Sequence, residues 1–139
     1  MKRPVLLDTG PIVAYLNRQE YNHAWAQDQW AKLEPPLLTC EAVLTEACFL
    51  VSRAGGEVSG VLDLMGRGVV RVPFRLEEEV KAVAALMARY ANVPMSLADA
   101  CLVRMAEQDG DSVVLTLDRD FKLYRKNGRQ VIPAVMPDL

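Results

Sequence analysis

Two short runs in this chain, Val5-Leu6-Leu7 and Val113-Val114-Leu115-Thr116-Leu117, are apolar almost throughout, and each ends on an aspartate, Asp8 and Asp118. A strand with one wet face alternates apolar and polar residues, whereas a parallel strand covered on both faces is apolar continuously. The two runs therefore belong inside such a sheet. Its strands must be joined by long crossovers, and the rest of the chain has to supply helices.

It does so in alternation. Thr9-Gly10-Pro11 reads as a turn into a short helix over Ile12 to Leu16, and a second helix covers Asn22 to Leu33, ended by Pro35-Pro36. Leu37-Leu38 makes a brief strand. Thr39 is placed to N-cap a helix that runs to Arg53 and stops at Gly55-Gly56. Another helix covers Val58 to Met65, and Gly68 to Val72 reads as the third strand. Leu76, Val80, Val83, Met87 and Tyr90 recur at helical spacing. After Pro94, a helix covers Ser96 to Gln108. Phe121 to Tyr124 begins a short helix, and Val131-Ile132 makes a small final strand. This pattern predicts an α/β fold: a three-layer α/β/α sandwich around a mainly parallel sheet of about five strands.

The 139 residues suit a single domain, residues 1–139, long enough for a full core. No apolar stretch approaches the ~20 residues that span a bilayer. The charged start Met1-Lys2-Arg3-Pro4 leads into only three apolar residues, which is no signal peptide. Cys40, Cys48 and Cys101 are odd in number and form no C-x-x-C pair, as expected of reduced thiols in a cytoplasmic protein. A net charge of −2 gives no global pull toward nucleic acid. Arg119, Lys122, Arg125, Lys126 and Arg129 nevertheless crowd into one segment directly after Asp118. They read either as a solvated surface or as a local phosphate-binding patch.

Two further acids join Asp8 and Asp118. On a wheel of ~100° per residue, Glu46 lies among Val43, Leu50, Ala42 and Phe49, and Asp99 among Ala106, Val103 and Leu102. Each of the four has a bland explanation. Ser96-Leu97-Ala98-Asp99 matches a capping box, and acids often end strands. One shared acidic pocket would account for all four, because carboxylates brought together repel unless a cation neutralises them. All-oxygen ligation favours Mg²⁺ or Mn²⁺ over zinc. The single histidine, His23, reads as a surface residue of the second helix. Thr9 and Thr116 adjoin two of the acids and either orient ligands or water or only satisfy local backbone. No phosphate loop, dinucleotide fingerprint or nucleophile elbow is present.

Leu6-Leu7-Asp8-Thr9-Gly10-Pro11, Val43-Leu44-Thr45-Glu46-Ala47, Ser96-Leu97-Ala98-Asp99-Ala100 and Thr116-Leu117-Asp118-Arg119-Asp120-Phe121 together resemble the PIN-domain family, in particular its bacterial VapC-like toxin ribonucleases. The resemblance implies a PIN-type fold and an endoribonuclease that hydrolyses RNA phosphodiester bonds with one or two Mg²⁺ or Mn²⁺ ions. It carries the catalytic and metal-binding roles to Asp8, Glu46, Asp99 and Asp118, with Asp120 as an additional acid. Attack by water would need no enzyme nucleophile, and Arg119, Lys122, Arg125 and Lys126 would meet RNA phosphates. The partners implied are RNA and a small antitoxin protein. Trp25 and Leu33 read as core, as a docking surface or as a homodimer interface. The rival readings are an RNA-processing nuclease without an antitoxin and a non-catalytic module on the same fold.

Overall fold

A computed structural model describes residues 3–138; Met1, Lys2 and Leu139, and with them part of the charged start, lie outside the described residues. The first strand, β1 (Val5–Leu7), is buried at every position. It leads into α1 (Thr9–Leu16), α2 (His23–Lys32), β2 (Leu37–Leu38), α3 (Glu41–Arg53), α4 (Val58–Gly66), β3 (Val70–Arg71), α5 (Leu76–Arg89), α6 (Leu97–Gln108) and β4 (Val113–Leu115). A 3-10 turn (Arg119–Lys122), β5 (Arg125–Lys126), β6 (Gln130–Val131) and β7 (Ala134–Val135) follow. Five strands form one sheet in the order β3-β2-β1-β4-β7, and every pairing in it is parallel. This is the α/β class that the uniformly apolar runs predict. Val43, Ala47, Val61, Leu102 and Val103 from the helices share a buried cluster with Leu6, Leu7, Val114 and Leu115 from the sheet.

Several local expectations are corrected. Thr9-Gly10-Pro11 is not a turn before a helix but the first turn of α1 itself. Asp8 caps it by accepting from the Thr9 N–H, and a proline costs nothing where no intrahelical donor is required. Thr39 does not cap α3. Its N–H donates to Arg71 and its hydroxyl to the Leu7 carbonyl at 2.7 Å, so the sheet claims it and Cys40 stands at the helix entry. The small strand near 131 does not close the sheet. Asn127 and Gly128 adopt positive φ, 52° and 83°, and fold β5 and β6 into an antiparallel hairpin, leaving β7 as the fifth strand.

On α5 the buried contacts are Val83 and Leu86, while Leu76 and Val80 face outward. His23 is half-buried rather than on the surface, with Nδ1 2.7 Å from the Ala14 carbonyl, so it ties α2 to α1. Trp25 packs against the core from a half-buried position, as does Leu33. The three cysteines are free thiols. Among the described residues no helix is long and apolar enough to cross a membrane.

Candidate active site

The chain leaves β1 toward one edge of the sheet and β4 toward the other, so a crevice opens past the carboxyl ends of these two neighbours, where open α/β sheets bind ligands. Leu7 lies opposite Leu115, and the Asp8 N–H continues the ladder to the Leu115 carbonyl at 3.0 Å. Asp8 is thereby fixed at the strand end, 5% exposed. Its Oδ1 accepts from the Thr9 N–H at 2.8 Å and its Oδ2 from the Thr116 hydroxyl at 2.5 Å. The Thr116 oxygen in turn accepts from the Asp118 N–H at 2.9 Å, so one hydroxyl sets the positions of two acids. Asp118 is half-buried and caps the 3-10 turn through the Asp120 N–H.

Asp99 arrives from α6. It completes a capping box with Ser96, as its spacing predicts, and is also 7% exposed and on the wall of the same cleft. Capping and site membership coexist in one side chain. Glu46 corrects the helical-wheel reading. It is exposed on α3, with Phe49 and Leu50 exposed beside it, so that arc of the helix is a rim and not a core face. Glu46 still lines the cleft, an open hollow of about 390 Å³ bounded also by Asp8, Thr9, Gly10, Leu117 and Asp118. Gly10 makes this approach close: a Cβ at that position would stand 3.0 Å from three side-chain carbons of Leu117, which would have to give way.

The electrostatics follow from burial. Loss of water pushes the Asp8 carboxyl up to about 7, against the lowering effect of its bonds to Thr116 and Thr9, and the charges of Asp99 and Asp118 add to the rise. Asp99 is also raised, first by burial and then by Asp118 and Glu46, while Ser96 and Tyr124 pull the other way. Asp118 thus acts on both buried acids, and Glu46 on Asp99. No described lysine, arginine or histidine forms an ion pair with any of them.

This donor set fits a hard cation. It is all oxygen and negatively charged, and the Thr9 hydroxyl is buried with no hydrogen-bond partner in a wall of the cleft. Among the described residues no three acids converge closely enough to enclose an ion by themselves. A Mg²⁺-type ion takes one or two carboxylates and completes its shell with water and substrate oxygens. Asp120 does not line the cleft; its N–H serves Asp118 and its charge reaches Tyr124.

The basic segment does not form one patch. Lys126 is buried and its ammonium donates to the Gly110 carbonyl at 3.1 Å, so it is corrected from a phosphate contact to a structural one. Arg119 is bonded to the Pro137 carbonyl, and Arg125 folds back onto the carbonyls of Lys122, Leu123 and Tyr124. Lys122 remains exposed, with no partner among the described residues. The sequence reading missed Tyr124, which is fully buried and donates to Asp99 at 3.1 Å. A contact between residues 25 apart leaves no local periodicity to find it by.

A family model described as PIN domain matches residues 5–127. Among solved structures, the fold is similar to Mycobacterium tuberculosis VapC20, described as a sarcin-ricin loop cleaving toxin, with a TM-score of 0.75 and 25% identity over 86% of this chain and 93% of that one. No curated protein matches the sequence. The acid-ended parallel strands, their order in the sheet and the match over nearly the whole chain lead to one conclusion: this chain belongs to the PIN-domain family.

Proposed function

We propose that this chain is a Mg²⁺- or Mn²⁺-dependent endoribonuclease and the toxin of a toxin–antitoxin pair. The observation that carries the reading is the acidic cleft: Asp8, Glu46, Asp99 and Asp118 line one hollow, and no described protein cation balances them. Membership of the PIN family and likeness to a toxin that cleaves an RNA loop support the substrate class. Asp8, Glu46, Asp99 and Asp118 would hold one or two ions, directly or through waters. A bound divalent cation supplies activation of water and neutralisation of charge at the scissile phosphate. The protein's own part is orientation: Thr116 and the Thr9 N–H hold both Asp8 oxygens, and the 3-10 turn holds Asp118. Lys122 offers charge to the RNA backbone.

Cleavage of RNA by purified wild type and Asp8→Asn, in Mn²⁺, in Mg²⁺ and in chelator, tests the chemistry. Wild type should cut only with metal, and Asp8→Asn should lose ~100-fold or more. Expression alone should arrest growth, and a small protein that inserts an arginine or lysine among the acids should relieve it. Metal-dependent cleavage with healthy growth would instead identify an RNA-processing nuclease. Absence of both cleavage and metal binding would identify a non-catalytic module.

A further inference from the structure

Asp99 is held asymmetrically. Its Oδ2 accepts two hydrogen bonds, from the Ser96 N–H at 3.3 Å and from the Tyr124 hydroxyl at 3.1 Å. Its Oδ1 has no hydrogen-bond partner among the described residues, while the residue lines the cleft. The backbone bond from Ser96 ties this oxygen to the first turn of α6. The phenol supplies the second restraint on this oxygen, from across the cleft wall, so the two donors together set which way the carboxylate faces.

The phenol is itself immobilised. The Tyr124 ring is fully buried between two aromatic edges, Phe121 at 5.2 Å and 84° and Tyr90 at 5.2 Å and 68°. Its backbone N–H bonds the Asp120 carbonyl, two residues past Asp118. The next residue, Arg125, donates its N–H to the Tyr90 hydroxyl at 2.8 Å. One short segment thus carries Asp118 at its start and the clamp on Asp99 near its end, so the two acids are spaced by a rigid brace.

We propose, resting on the nuclease reading, that Tyr124 is a positioning residue for metal-dependent cleavage: its hydroxyl pins Oδ2 of Asp99 and presents Oδ1 to the cation. A bland alternative exists, because a buried phenol needs a partner and Asp99 is a convenient one. The two differ in what the bond does for the cleft. Removing an outer hydrogen bond that orients a ligand typically costs ~10-fold or more in metal affinity.

Tyr124→Phe keeps the ring and deletes only the hydroxyl. Mn²⁺ binding, followed by titration calorimetry, should weaken ~10-fold, and kcat should fall with KM nearly unchanged. Ser112→Ala, which deletes another buried hydroxyl bond, to the Asp109 carbonyl at 2.8 Å, with no contact to Asp99 or Tyr124, should bind Mn²⁺ as wild type does. In an Asp99→Asn background the Tyr124 change should have no further effect on metal affinity. Wild-type Mn²⁺ affinity and kcat in Tyr124→Phe would overturn the proposal and leave the nuclease reading intact. Equal losses in Ser112→Ala and Tyr124→Phe would also overturn it, as the signature of general loosening. A wild type that neither binds Mn²⁺ nor cuts RNA would overturn the nuclease reading, and this proposal with it.

Discussion

Asp8 is engaged by protein donors on both oxygens and still carries a proton more readily than an ordinary aspartate, because burial outweighs its two bonds. Its folded value of about 7 lies above the ordinary 3.8. Below about 4 both folded and unfolded states hold the proton; between about 4 and 7 only the folded state does, so stability falls as pH rises through that window and then levels. The upward shift of Asp99 has the same sign. In chelator, the melting temperature should drop from about pH 5 to about pH 8, and Asp8→Asn should flatten most of that slope while remaining folded. An amide there mimics the protonated acid, since the Thr116 oxygen can accept from it. A wild-type melting temperature that climbs over the range would refute the account. Asp8, Asp99 and Asp118 were legible because an acid closing or interrupting an apolar pattern is visible locally. The exposure of Glu46 was not, since a wheel cannot tell a core face from the rim of a cleft.

At the level of elements, the entry of α1 is the tightest joint. Gly10 lets the helix approach the exit of β4, and Gly10→Ala should displace Leu117, and Asp118 with it. We expect a cost of about 1–3 kcal/mol from overpacking, and a cleavage defect larger than this loss of stability explains; a denaturant melt alongside a rate measurement separates the two. The basic segment divides along its hydrogen bonds. Lys126→Ala should destabilise by about 1–2 kcal/mol through loss of its buried stem and of its bond to the Gly110 carbonyl, whereas Lys122→Ala should leave stability unchanged and flatten the salt dependence of RNA binding. The reverse pattern would restore Lys126 to the RNA surface. A run of charges in sequence says nothing about which ammonium a turn folds inward. The hairpin did leave a signal, Asn127-Gly128, a strong short-range marker of antiparallel pairing.

For the whole molecule, the cleft trades stability for charge density, and a cation that binds only the folded state should return it. Mn²⁺ at about 100 times its dissociation constant should stabilise wild type by about 2.7 kcal/mol, and Asp99→Asn much less; equal rises in the two would reduce Asp99 to a helix cap. The sheet order was only partly legible, since parallel pairing joins segments far apart in sequence and periodicity records only which segments are strands. That same remoteness governs timing. The hydroxyl that clamps Asp8 comes from a residue 108 positions later, and the ladder between β1 and β4 spans nearly the same separation. Contacts of such long range form slowly and late. During synthesis, Asp8, Glu46 and Asp99 leave the ribosome before β4 exists to seat them, so a growing chain holds its acids apart and the cleft assembles only when almost all of the protein has emerged. The central pairing of this sheet is thus a delay as well as a scaffold: the acids share no pocket for most of the chain's own making.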